Sequence, residues 1–253
     1  MQQHRLAMDR SMCAMADHTT PQEQRPRAIV LLSGGMDSST AAAMVAADGY
    51  ELHAIAVRYG QRQSHELTCA ERLADALGAA SFRIVDVDLR ALGGSALTDD
   101  IDVPKDRDHA AIGEGIPVTY VPARNTVFLS IALAAAEALE GQAIVIGVNA
   151  LDYSGYPDCR PEFIEAFEAV ARLGTKAGVE GHPIRVLTPL VAMTKAEIAA
   201  RGTELGVPFE HTLSCYDPVA RDDAWVHCGR CDACRLRAKG FAEAGLEDPA
   251  PTV

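Results

Sequence analysis

An α/β fold built on a doubly wound parallel sheet, with a small C-terminal helical segment rich in cysteine, is what this sequence predicts. Three observations carry that expectation. Short apolar runs such as Ala28–Leu32 and Ala143–Val148 read as strands buried on both faces. Stretches with helical spacing follow these runs in alternation, the pattern of parallel strands joined by crossover helices. Four cysteines then crowd into residues 215–234, where the alternation has ended.

Ala28–Leu32 is the first strand, broken by Ser33-Gly34-Gly35, and the residues from Asp37 to Ala47 suit a helix. Strand, glycine-rich turn and helix N-terminus together form a cradle for phosphate, because successive N–H groups point inward and the helix dipole favours an anion. Ser33, Ser38 and Ser39 add hydroxyls, and Asp37 is placed to hold a magnesium ion between phosphates. No Gly-Lys-[Ser/Thr] follows, so the loop is not of the Walker type. Glu51–Val57 is the second strand, Ser64–Leu77 a helix stopped by Gly78, and Phe82–Val87 the third strand. Residues 93–115 lack periodicity and read as a long loop with five aspartates, the kind that serves as a lid or binding loop or stays disordered. Arg124–Glu140 reads as a buried helix, Ala143–Val148 as a strand and Pro161–Leu173 as a helix with proline in its first turn. Ile184–Leu187 is a short strand, and Thr194 caps a helix over Lys195–Leu205. The domains expected are a tail over 1–26, a nucleotide-binding α/β domain over 27–207, a cysteine segment over 208–245 and a second tail over 246–253.

In a doubly wound sheet, ligands lie beyond the carboxyl ends of the strands. That rule gathers Ser33–Ser39, Arg58–Arg62, Val121–Asn125 and Asn149–Arg160 at one crevice. Composition narrows the class further. The chain has 253 residues, 48% hydrophobic and 23% charged, ordinary for a soluble protein with a substantial core. Asn125–Ala136, the longest uncharged apolar stretch, is shorter than the roughly 18 residues a membrane span needs, and residues 1–26 carry no signal-peptide pattern. A net charge of −12 argues against a surface made to grip nucleic acid. Seven cysteines without an export signal point to reducing cytoplasm.

Cys228, Cys231 and Cys234 are separated by two-residue gaps that let thiolates converge on one metal, and Cys215 completes a set of four. Four thiolates and no open position match a structural zinc site. An iron–sulfur cluster is the competing reading, disfavoured because no proline follows Cys234. His211 and His227 are alternative ligands, each expected to act locally instead. Cys69 reads as packing on a helix face, and Cys159 as a buried thiol before a nucleophile.

The Ser33–Thr40 loop resembles the pyrophosphate-binding loop of ATP pyrophosphatases, whose fold is adenine nucleotide alpha hydrolase-like. That resemblance assigns ATP to Leu32, Ser33, Gly34, Gly35, Met36, Asp37, Ser38, Ser39 and Thr40. Taken with RYGQRQSHE (58–66), VPARN (121–125), GVNALDYSGYPDCRPEF (147–163), TPLVAMTKAEI (188–198) and the LSCY…CGRCDACRLRAKGF run (213–241), the chain resembles the 7-cyano-7-deazaguanine synthase family. One departure is Ala123, where glycine is frequent in that family.

The resemblance implies ATP-dependent conversion of 7-carboxy-7-deazaguanine and ammonia to the nitrile. The carboxylate is adenylated, ammonia displaces AMP to give an amide, and a second activation of the amide oxygen lets the nitrile form. Asp37 is assigned to magnesium, Arg124 and Lys195 to phosphate charge, and Asp152, Tyr153 and Arg160 to the deazaguanine. A cytoplasmic homodimer acting on small molecules is expected. Two rival enzymes fit less well. A tRNA thiolation enzyme shares the loop but needs a basic RNA-binding surface, and a glutamine-dependent amidotransferase needs a terminal cysteine where this chain has Gln2. A non-enzymatic zinc module leaves the phosphate loop unexplained.

Overall fold

The computed structural model describes residues 25–61, 65–108, 112, 115–149, 155–222 and 224–253. Its centre is a five-stranded sheet in the order β3-β2-β1-β4-β5, with each neighbouring pair parallel. The strands are β1 (Arg27–Leu31), β2 (Glu51–Arg58), β3 (Ser81–Asp86), β4 (Ala143–Val145) and β5 (Arg185–Leu187). Alternate β1 side chains enter two separate cores. Ile29 and Leu31 pack towards one face and Ala28 and Val30 towards the other, which is why the run reads as apolar without a gap.

On the second of these faces lie α1 (Met36–Ala47), α2 (His65–Ala76) and α6 (Lys195–Glu204). The first face carries α3 (Arg124–Ala138) and α4 (Pro161–Gly174), followed by the short helix α5 (Lys176–Val179). Thr194 caps α6 as the sequence predicts, and Glu197 completes a capping box with it. β4 stops earlier than its apolar run, because the chain at Gly147 leaves the sheet to press against α1. A Cβ on Gly147 would fall 2.8 Å from the Ser38 Cα.

Strand order reverses at β1. The chain crosses to β2 on one side of it, and β4 enters on the other. The crevice at that switch point is where an open α/β sheet takes its ligand. Two features hold its mouth in place. Ala123 precedes α3 in the left-handed conformation (φ +53°), which is the reason glycine suits that position. Asp158 accepts the Asn125 N–H at 2.9 Å, capping α3 from a 3-10 turn thirty-odd residues further on.

The C-terminal part is more than a helical segment. It contains a hairpin, β6 (Val219–Arg221) with β7 (Ala224–Val226), and then α7 (Asp232–Glu243). α7 packs so closely on α6 that a Cβ on Gly240 would lie 2.6 Å from the Lys195 Cβ, and Phe241 joins the core beneath α1. Arg237 is 2% exposed and makes a paired contact with Asp248 at 2.7 and 2.8 Å. Residues 246–253, expected as a tail, therefore fold back; Pro251 O accepts the His227 N–H at 2.9 Å. The long loop is anchored as well. Ser95 to Thr98 are buried, and Lys105 pairs backbone with Cys231.

Candidate active site and cysteine cluster

A cavity of about 290 Å³ opens at the switch point. Ser33, Gly35, Met36, Asp37 and Ser38 form one wall, so the turn after β1 faces the space the sequence assigned to phosphate. Gly34 itself stands behind that wall with φ +83°, and a Cβ there would meet the Glu66 carbonyl oxygen at 2.3 Å. A side chain at this position would push the loop off the first turn of α2. Ser33 and Ser38 share a hydrogen bond at 3.0 Å. Ser39 and Thr40 turn inward and donate to the carbonyls of Gly35 and Met36 at 2.8 and 2.9 Å, outside the cavity lining.

Asp37 and Lys195 meet in a direct ion pair through Asp37 Oδ2. Asp37 Oδ1 is buried and has no hydrogen-bond partner among the described residues. A buried carboxylate oxygen left without a donor is what a cation would satisfy. Arg124, from α3, reaches the cavity on the β2 side. It donates to the Tyr59 hydroxyl at 3.3 Å and lies over the Tyr59 and Phe128 rings at 5.6 and 5.9 Å. Burial pushes the Tyr59 phenol up to about 12, despite the opposing pull of Arg124. Glu66 also lines the cavity, and burial lifts its carboxyl to about 7 against the pull of Arg124 and Gln61. The Cys159 thiol is raised to about 12 by burial and accepts from Asn125 Nδ2 at 3.2 Å, the environment of an unreactive thiol.

Three of the four crevice segments converge as the sequence suggests, and the fourth contributes Asn149, Tyr156 and Cys159. Asp152 and Tyr153 fall outside the described residues. Arg160 is exposed at the start of α4 and does not line the cavity. Sequence reasoning passed over Glu66, Ser214 and Tyr216, although each lies within a segment it had marked.

The four thiols of Cys215, Cys228, Cys231 and Cys234 lie within 4.8 Å of one another. Tetrahedral ligands about 2.3 Å from one zinc would sit about 3.8 Å apart. The contacts of 3.9 Å for Cys215 with Cys231, 3.9 Å for Cys228 with Cys234 and 3.5 Å for Cys231 with Cys234 bracket that value. A multi-iron cluster spreads its thiolates over separate ions and needs them farther apart. Backbone N–H groups of Tyr216, Cys228 and Arg230 point at these sulfurs at 3.5, 3.4 and 3.5 Å, the donor shell a thiolate requires. His227 stands beside the cluster as a brace, with Nε2 accepting the Ser214 N–H at 2.9 Å and Nδ1 facing Pro251 O at 3.2 Å.

Cavity and cluster share a wall. Leu213 donates its N–H to Gly34 O at 2.8 Å, and Ser214 Oγ accepts the Met36 N–H at 2.9 Å. Cys215, the next residue, is both a cluster thiol and part of the cavity lining.

The family model described as "Queuosine biosynthesis protein QueC" matches residues 27–245. This chain belongs to the QueC family. Its relatives include the 7-cyano-7-deazaguanine synthase of Anaeromyxobacter dehalogenans, 61% identical over 88% of this chain and 94% of that protein. The synthase of Rhodopirellula baltica is 58% identical over 90% and 92%, and that of Stenotrophomonas maltophilia 59% identical over 88% and 97%. A 4-thiouridine synthetase–RNA complex with bound ATP overlays with a TM-score of 0.47 at 20% identity, over 72% of this chain and 41% of that one. That likeness is too slight to bear on function.

Proposed function

We propose that this chain makes 7-cyano-7-deazaguanine, the product its QueC relatives are named for, from 7-carboxy-7-deazaguanine, ATP and ammonia. The observation that carries the site reading is Asp37, with one oxygen on Lys195 and the other buried without a partner among the described residues, beside the phosphate loop.

The chemistry must make an inert carboxylate electrophilic. Its oxygen attacks the α-phosphorus of ATP and pyrophosphate leaves, giving the acyl adenylate. Ammonia adds to that carbon, AMP departs, and the amide remains. The amide oxygen attacks a second ATP in the same way, and loss of AMP with the N–H protons gives the nitrile. Ser33, Ser38 and the N-terminus of α1 would receive the pyrophosphate oxygens. Lys195, paired with Asp37, and Arg124, bonded to Tyr59, would supply positive charge to the cavity. Asp37 would hold a magnesium ion, whose charge balances the phosphates. Catalysis then rests on position and field, with no covalent enzyme intermediate.

The four thiols would hold one zinc ion, and with four protein ligands the site leaves no position for water or substrate. The metal would fix the segment that carries Leu213 and Ser214. Such a site needs reduced cysteines, which agrees with a cytoplasmic setting, and among the described residues no helix is long and apolar enough to cross a membrane.

The test incubates purified protein with 7-carboxy-7-deazaguanine, ATP, magnesium and ammonium, and follows products by mass spectrometry. The expected result is the nitrile, with two AMP released for each one formed. AMP released without amide or nitrile would overturn the reading.

A further inference from the structure

The reaction releases protons as well as AMP. When ammonia adds to the acyl adenylate, nitrogen becomes positively charged and must lose a proton as the C–O bond to AMP breaks. When the activated amide becomes the nitrile, both remaining N–H protons leave while the second C–O bond breaks. A base at the reacting carbon is needed in both halves, and it must return each proton to solvent before the next.

Among the described residues, Asp37 and Glu66 are the carboxylates lining the cavity, and no histidine lines it. Asp37 is held by Lys195 and belongs to the phosphate-loop wall. Tyr59 and Cys159 keep their protons at neutral pH, since both are pushed up to about 12 by burial. Glu66 is left. It comes from the first turn of α2, whose backbone packs against Gly34, and it lines the cavity with Gln61 and Arg124 as neighbours. The groups facing it are Arg124 from α3, Tyr59 and Gln61 from the turn after β2, and Cys69 from its own helix.

We propose that Glu66 is the general base of this active site, taking the proton from the adding ammonia and then the N–H protons of the activated amide. The inference rests on the synthase reading above. Burial lifts its carboxyl to about 7, so near neutral pH it both accepts a proton and gives it up. Arg124 beside it keeps enough of the carboxylate charged to act.

The experiment separates adenylation from the nitrogen steps in Glu66→Gln. Carboxylate-dependent exchange of labelled pyrophosphate into ATP reports adenylation, and nitrile formation reports the whole sequence. Rates are taken across pH at a fixed concentration of free ammonia. Glu66→Gln is expected to keep exchange within a few-fold while nitrile formation falls about 10²- to 10⁴-fold. The limb of the wild-type profile that rises near pH 7 should disappear. Glu66→Asp, which serves if the amide variant does not fold, should retain part of the rate with that limb moved to lower pH. Equal loss of exchange and nitrile would assign Glu66 to holding Arg124 or the loop, and unchanged nitrile formation or an unchanged limb would exclude it as the base. Wild-type protein that makes no nitrile overturns the synthase reading instead, so the two failures are distinct.

Discussion

Ser214 Oγ accepts the Met36 N–H at 2.9 Å, so the residue beside a cluster cysteine holds the first turn of the phosphate-loop helix. The Leu213 N–H donates to Gly34 O one residue earlier. The loop is thus built jointly with the cysteine segment, and a metal that serves stability alone would still reach the nucleotide site through this wall.

Removal of the metal is therefore expected to weaken ATP binding as well as lower the melting temperature. Ser214→Ala isolates the local part of that effect. Losing one hydrogen bond of this kind costs about 1 kcal/mol, roughly fivefold in ATP affinity, with the cluster intact. Titration calorimetry on Ser214→Ala and on chelator-treated protein checks both. Ordinary ATP affinity in folded, metal-free protein would mean that the shared wall transmits nothing.

Asp37→Asn tests the carboxylate that has one oxygen on Lys195 and the other without a partner among the described residues. The amide removes the Asp37–Lys195 ion pair and cannot balance a magnesium charge. Pyrophosphate exchange is expected to fall on the order of 10²- to 10³-fold, with the remainder needing far more magnesium. Exchange that stays near normal across a magnesium titration would remove Asp37 from the phosphate site.

The strands and the glycine-rich turn after β1 were legible because their signals are local. Ala28–Leu32 is apolar on both faces, and Ser33-Gly34-Gly35 breaks it where a helix must begin. The cysteine spacing was legible for the same reason. The hairpin was not, since Val219–Arg221 and Ala224–Val226 are three-residue strands too short to show a period. The packing of 246–253 depends on Arg237 finding Asp248 and on Pro251 meeting His227, contacts set by the fold. The tie of Ser214 to Met36 spans 178 positions, and no pattern of neighbours announces it. Glu66 sat inside a marked segment, yet its altered acidity comes from burial that only the assembled cavity creates.

Ala123 carries a measurable strain. At φ +53° an alanine pays roughly 1–2 kcal/mol for the left-handed conformation, while glycine loses about 0.5–1 kcal/mol of extra chain entropy on folding. Ala123→Gly should therefore stabilise the protein by about 0.5–1 kcal/mol, a rise of roughly 2 °C in melting temperature at this size. A melting temperature that drops instead would contradict the backbone conformation at the start of α3.

The acidity of Glu66 is open to a test that needs no turnover. Its carboxyl is lifted by burial to about 7 in the folded protein, whereas an unfolded glutamate titrates near about 4.3. A group whose folded pKa is raised gives its full stability below the unfolded value and loses it as pH rises to the folded one. Between about pH 4.3 and 7 the unfolded chain sheds this proton first, so wild-type protein loses stability across that window and levels off above it. Glu66→Gln has no proton to shed there. Its melting temperature, measured without ATP or magnesium, should gain on the wild type from about pH 4.5 to about pH 7.5 and then hold a constant lead. A difference between the two proteins that stays the same across that range would show that Glu66 titrates as an ordinary solvated carboxylate, and the base assigned to this cavity would have to be another group.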